Sequence, residues 1–167
     1  MSRYCTLITL LTSLSLMKSA AGQPTAKAPS KTVVLRGEVI DAQSGKPLPC
    51  RLYIQAADGS WHFARSDSAA GSAVEYRKNR DGSPPSVEMH TTLSAHPFVA
   101  DLPAGDYTLL VERGKEYFPE SRNVRVSDGD QRIKIPLRRW INMQENGWYS
   151  GDTHVHRTLT ELPNLLL

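Results

Sequence analysis

Hydrophobic and polar residues alternate with a period of two along most of the chain from residue 32 to residue 137. Such alternation puts successive side chains on opposite faces of a strand. In residues 32–40 (TVVLRGEVI), Val33, Leu35 and Gly37 share one face. Leu52 and Ile54 do so in residues 51–55 (RLYIQ). Residues 107–113 (YTLLVER) are the clearest strand, with Tyr107, Leu109 and Val111 on one face. Residues 122–126 alternate Val124 and Val126, and residues 132–137 alternate Ile133, Ile135 and Leu137. Residues 87–93 and 96–102 are further strands, and residues 61–64 are expected to pair back on 51–55 as a hairpin. No segment from 32 to 139 keeps a helical period over three turns. The evenly spaced strands predict an all-β fold, an antiparallel β-sandwich of roughly seven strands.

Turn residues punctuate that pattern. Asp41-Ala42-Gln43-Ser44-Gly45 is a turn in which Gly45 is free to take positive φ. Lys46-Pro47-Leu48-Pro49 is extended and unsuited to a central ladder. Ala57-Asp58-Gly59-Ser60 and Pro103-Ala104-Gly105-Asp106 are further turns. Residues 66–86 are polar and stop at Pro84-Pro85, so they are expected to form a long surface loop with a short strand at 74–76. The Arg77, Lys78 and Arg80 group there reads as a solvated face, flanked by Glu75 and Asp81. Asp128-Gly129-Asp130 lacks the rest of an oxygen-rich calcium loop and reads as a hairpin turn.

The N-terminus differs from everything after it. Arg3 precedes a mostly apolar 12-residue run, TLITLLTSLSLM, and Ser19-Ala20-Ala21-Gly22 supplies small residues for cleavage. Residues 1–22 are therefore expected to be a signal peptide, too short in its apolar run to span a bilayer, and 23–31 a flexible tether. A secreted or periplasmic product with no stable membrane span after cleavage is the corresponding expectation. The net charge is +3, and removing Arg3 and Lys18 from the 20 basic residues leaves 18 against 17 acidic ones. That near-balance excludes a nucleic-acid binder acting through bulk charge. Of two cysteines, Cys5 lies in the leader, so Cys50 stands alone as an expected buried hydrophobe, without a disulfide.

The strand-and-turn motifs resemble a known family. Leu35-Arg36-Gly37-Glu38-Val39-Ile40-Asp41, Ser44-Gly45-Lys46-Pro47-Leu48-Pro49 and Leu102-Pro103-Ala104-Gly105-Asp106-Tyr107-Thr108-Leu109 are similar to carboxypeptidase regulatory-like domains. The resemblance covers residues 32–139 and implies a transthyretin-like sandwich, used in that family as an accessory module. The Tyr-Arg-Gly-Ser motif of transthyretin-like hydrolases of the urate pathway does not occur here.

The candidate chemistry lies further on. Asp152, His154 and His156 form an Asp-x-His-x-His unit, and in a strand all three would project from one face. Two imidazoles and a carboxylate on one face suit a divalent ion. Zinc, manganese and iron all accept such donors. The surrounding string GWYSGDTHVH resembles the start of PHP-type metallohydrolase domains of the CehA/McbA-like group. That resemblance implies a metal-ligand role for His154 and His156, with Asp152 as an orienting neighbour. Residues 140–167 are then expected to be the first strand of a truncated domain of this type. Its further ligands would come from a missing C-terminal catalytic domain or another protein. Two histidines and one aspartate are fewer ligands than such a site needs, so the chain by itself is expected to be inactive. The alternative is a non-catalytic extracytoplasmic accessory module that binds protein or carbohydrate. His62 and His90 alternate with apolar neighbours and are expected to face solvent, while His96 precedes Pro97. Trp140, Trp148 and Tyr149 could stack on a sugar, but are expected to cover the sandwich core.

Overall fold

The computed structural model describes residues 32–80, 86–149 and 151. Residues 1–31, where a signal peptide and tether are expected, and residues 152–167 lie outside the described residues. Ten strands are present: β1 (Thr32–Asp41), β2 (Cys50–Ala56), β3 (Trp61–His62), β4 (Arg65–Ser66), β5 (Ala73–Arg80), β6 (Ser86–Leu93), β7 (Phe98–Pro103), β8 (Gly105–Glu112), β9 (Glu120–Val126) and β10 (Gln131–Leu137). They form a four-stranded sheet in the order β10-β1-β7-β4 and a six-stranded sheet in the order β5-β6-β2-β8-β9, with β3 paired to β2.

Each sheet turns one face to a shared core, which makes the fold an all-β sandwich. In β1, burial alternates along the whole strand, with Val33, Leu35 and Val39 inside. The other sheet contributes Leu52 and Ile54 from β2, and Tyr107, Leu109 and Val111 from β8. Phe98, Leu102, Ile135 and Leu137 complete the centre, all fully buried. Complete burial of one such side chain is worth about 1.5–3 kcal/mol relative to exposure. The polar interior is small, and buried Thr91 Oγ1 accepts the Ala64 amide at 3.0 Å. The Tyr107 hydroxyl donates to the Pro103 carbonyl at 2.8 Å, closing the turn before its own strand.

Several local expectations are met. Gly45 takes φ 69°, and Asp41 Oδ1 accepts the Gln43 and Ser44 amides at 2.9 and 2.7 Å. The 46–49 segment stays out of the ladders apart from an isolated Ile40–Pro47 bridge. Cys50 is buried.

Other expectations need correction. Among the described residues the strands number ten rather than about seven. The sandwich is not wholly antiparallel, because β1 pairs parallel with β10 and antiparallel with β7. The chain leaves β9 in one sheet and enters β10 in the other, and that crossing sets the direction of β10. For the same reason Asp128-Gly129-Asp130 spans the two sheets and is not a hairpin turn. Residues 73–80 form an eight-residue strand where a loop with a short strand is expected. β5 pairs with β6 along its whole length, from Ala73↔Leu93 to Arg80↔Ser86. Backbone pairing needs no apolar side chains, so an edge strand with polar residues on both faces leaves no periodic signal. The hairpin after β2 is also shorter than expected: β3 returns on β2 for two residues, and β4 then pairs with β7 in the opposite sheet.

Candidate functional site

Asp152, His154 and His156 lie outside the described residues, so their placement is not part of this structure. Among the described residues, no group of three His, Cys, Asp or Glu side chains is arranged to hold a metal ion. What the structure does describe is the segment that leads to them. Beyond β10 the chain runs back along residues 116–118. The Phe118 amide donates to the Arg138 carbonyl and the Trp140 amide to the Glu116 carbonyl, both at 3.0 Å. The Trp140 indole N–H donates to the Lys115 carbonyl at 2.7 Å. A tight reversal follows, in which the Asn146 and Trp148 amides both donate to the Met143 carbonyl, at 3.0 and 2.9 Å. Gly147 makes this possible by taking φ 77°, a conformation costly for residues with a Cβ.

The reversal closes one side of an open cleft of about 750 Å³. Tyr117 lies at its base, 6% exposed. Its hydroxyl donates to Asp41 Oδ2 at 2.9 Å. The backbone amide of Ser44 holds the Asp41 carboxyl well below its ordinary range, at about 2, against the opposing effect of burial. Burial, and then the neighbouring Asp41 carboxylate, push the Tyr117 phenol up. The Arg113 and Arg139 guanidinium groups lie 5.6 and 5.0 Å from the Tyr117 ring centre. Arg113 also donates to the Pro49 carbonyl at 2.6 Å, and Arg139 pairs with Glu116 at 3.2 Å.

Two buried polar atoms in the cleft residues, Arg139 Nε and Asn142 Oδ1, have no protein partner. Together with Lys115, this gives a cleft richer in cations than anions, with a donor and an acceptor unspent. Trp148 and Tyr149 also line it and are 67% and 79% exposed. They and Trp140, at 57%, do not cover the sandwich core as expected. The cleft can hold an extended polypeptide or a ligand with an anionic group, and it lies a few residues before Asp152.

The remaining candidates are distributed elsewhere. His90 is buried, against the expectation that it faces solvent, and its ring lies between those of Tyr53 and Tyr76 at 5.1 and 5.2 Å. Burial, and then Arg51, lower its pKa. His62 is half-buried, with its ring edge-on to Tyr107 at 5.4 Å. His96 Nδ1 contacts Ser94 Oγ at 3.0 Å. On β5 the Arg77 and Lys78 side chains are exposed, as a solvated face requires. Arg77 pairs with Glu75 at 2.7 Å and stacks over Phe63, and Lys78 lies over the Tyr76 ring. The cleft residues Tyr117, Arg139 and Asn142 carried no functional signal in the sequence. They come from separate segments and share no motif.

No known protein family and no curated protein matches this chain. No helix among the described residues is long and apolar enough to cross a membrane.

Proposed function

We propose that this chain is the N-terminal part of a secreted metal-dependent hydrolase, in which the sandwich carries and positions the start of the metal site. The string GWYSGDTHVH at residues 147–156 carries this reading. His154 and His156 would be the ligands and Asp152 the orienting carboxylate, a donor set suited to zinc, manganese or iron. A bound divalent ion supplies Lewis acidity and a water of lowered pKa. The packing of residues 138–149 against 113–118 supports a positioning role, because it fixes the direction of the chain just before Asp152. These three donors by themselves are fewer than a hydrolytic metal site needs.

A second reading, a non-catalytic accessory module, is favoured by the completeness of the core. Among the described residues, every buried side chain of that core lies between Val33 and Leu137.

Metal content separates the two. The purified chain, stripped and reloaded with zinc, manganese or ferrous iron, is expected to retain divalent metal. His154→Ala and His156→Ala are each expected to abolish that retention. Metal content unaffected by both substitutions, or no retention at all, would overturn the hydrolase reading. Robust metal-dependent hydrolysis by the chain alone would overturn its predicted inactivity.

A further inference from the structure

The six-stranded sheet has a second face, turned away from the core. In β2, Cys50, Leu52 and Ile54 point inward, so Arg51, Tyr53 and Gln55 point outward. Register carries the same face across the sheet. Arg51 pairs with Thr92, and His90 with Tyr76. On the other side Tyr53 pairs with Leu110, and Gln55 with Trp61. Trp61, Tyr53, His90 and Tyr76 therefore form a row that crosses β3, β2, β6 and β5. Successive ring centres are 6.5, 5.1 and 5.2 Å apart. None of the four belongs to the core, and the three outer rings are only half-buried.

Two features mark this row as more than surface packing. The central His90 is 3% exposed, yet its Nδ1 atom is buried with no hydrogen-bond partner. Buried polar atoms are nearly always satisfied, so an orphan of this kind calls for an explanation. The charges on the face are also balanced in pairs: Arg51 lies opposite Glu112, and Lys78 opposite Glu88. Beside the rings these two pairs leave neither sign of charge in excess.

We infer that this outward face binds a neutral glycan. Its sugar rings stack on Trp61, Tyr53 and Tyr76, and a ring hydroxyl reaches His90 Nδ1 by parting the Tyr53 and Tyr76 rings that flank it. A pyranose ring has an apolar C–H face that suits an aromatic surface and a rim of hydroxyls that suits polar neighbours. A hydroxyl both donates and accepts, so it can serve Nδ1 in either imidazole tautomer. The exposed Thr92 and the half-buried Gln55 supply hydrogen-bonding groups beside the rings. The inference is independent of the metal site.

The test is native affinity electrophoresis of the full chain in gels containing mixed-linkage β-glucan, hydroxyethylcellulose, xylan, galactomannan or amylopectin. At least one is expected to retard the protein. Trp61→Ala and Tyr76→Ala should each weaken that retardation at least tenfold, while Trp148→Ala, in the cleft, leaves it unchanged. Should either platform variant fail to fold, NMR of the unsubstituted chain with an oligosaccharide of the retarding glycan serves instead. Shifts are then expected at the Trp61 indole N–H and the His90 ring. Three results would overturn the inference: no retardation in any gel, retardation insensitive to Trp61→Ala, or shifts centred on Trp148 and Tyr149. Retardation by polygalacturonate alone would overturn the assignment to a neutral ligand.

Discussion

Gly37 has no side chain, and the ring of Phe98 occupies the space one would take. The two residues pair directly across β1 and β7. A Cβ on Gly37 would lie 2.2 Å from Phe98 Cζ and 2.6 Å from Cε1. Phe98 is fully buried, so its ring has little room to retreat. Overpacking of a tight core costs about 1–3 kcal/mol, and Gly37→Ala is expected to destabilise the fold by about that much. Urea unfolding followed by circular dichroism measures it. Adding Phe98→Leu should make the pair less destabilised than the two single losses combined, because leucine vacates the contested space. An unchanged midpoint for Gly37→Ala would mean that the ring moves aside freely. A polar residue shows the same dependence on context. The sequence places His90 between Met89 and Thr91, but only the flanking Tyr53 and Tyr76 rings explain why it is buried on an outward face.

Strands with one buried face were legible in the sequence, because their side chains record which way each residue points. β1, β2, β8 and β10 fall where alternation places them, and Gly45 turns where a turn is expected. β5 was not legible, since an edge strand held by backbone bonds carries no such record. The cleft was not legible either. It arises where 113–117 meets 139–149, and its polar residues have no period. One tie between elements gives that region a pH dependence. Asp41, at the end of β1, is bonded to Tyr117, beyond β8. Its pKa is lowered from 3.8 to about 2, with the Ser44 amide bond as the largest cause. A depressed carboxylate pKa stabilises the fold above the ordinary value and loses that contribution as pH falls through the folded value. Asp41→Asn is expected to cost about 1.5–3 kcal/mol at neutral pH, the range for hydrogen bonds to a charged group. The difference between the two proteins should shrink as pH falls from 3.8 towards about 2. A difference constant through that window would mean that the Asp41 charge contributes nothing.

Over the whole molecule, one core joins two sheets, and the free cysteine among the described residues lies within it. Cys50 is 5% exposed, and burial pushes its thiol up to about 12. The reactive thiolate is therefore scarce in the folded protein, and no reagent reaches it without an opening of the structure. Which opening suffices depends on how cooperative the sandwich is. Cys50 begins β2, which sits between β6 and β8 in the larger sheet, while the preceding Pro49 carbonyl is held by Arg113. A strand paired on both sides and packed on a shared core should be released only when the core as a whole comes apart. In a Cys5→Ser chain, Cys50 is thus expected to resist a thiol reagent under native conditions. The opening free energy from its labelling rate across a urea series should match the global unfolding free energy within about 1 kcal/mol, as a two-state domain requires. Labelling through an opening several kcal/mol cheaper would show that the end of β2 detaches alone. The sandwich would then be two loosely coupled sheets instead of one cooperative unit.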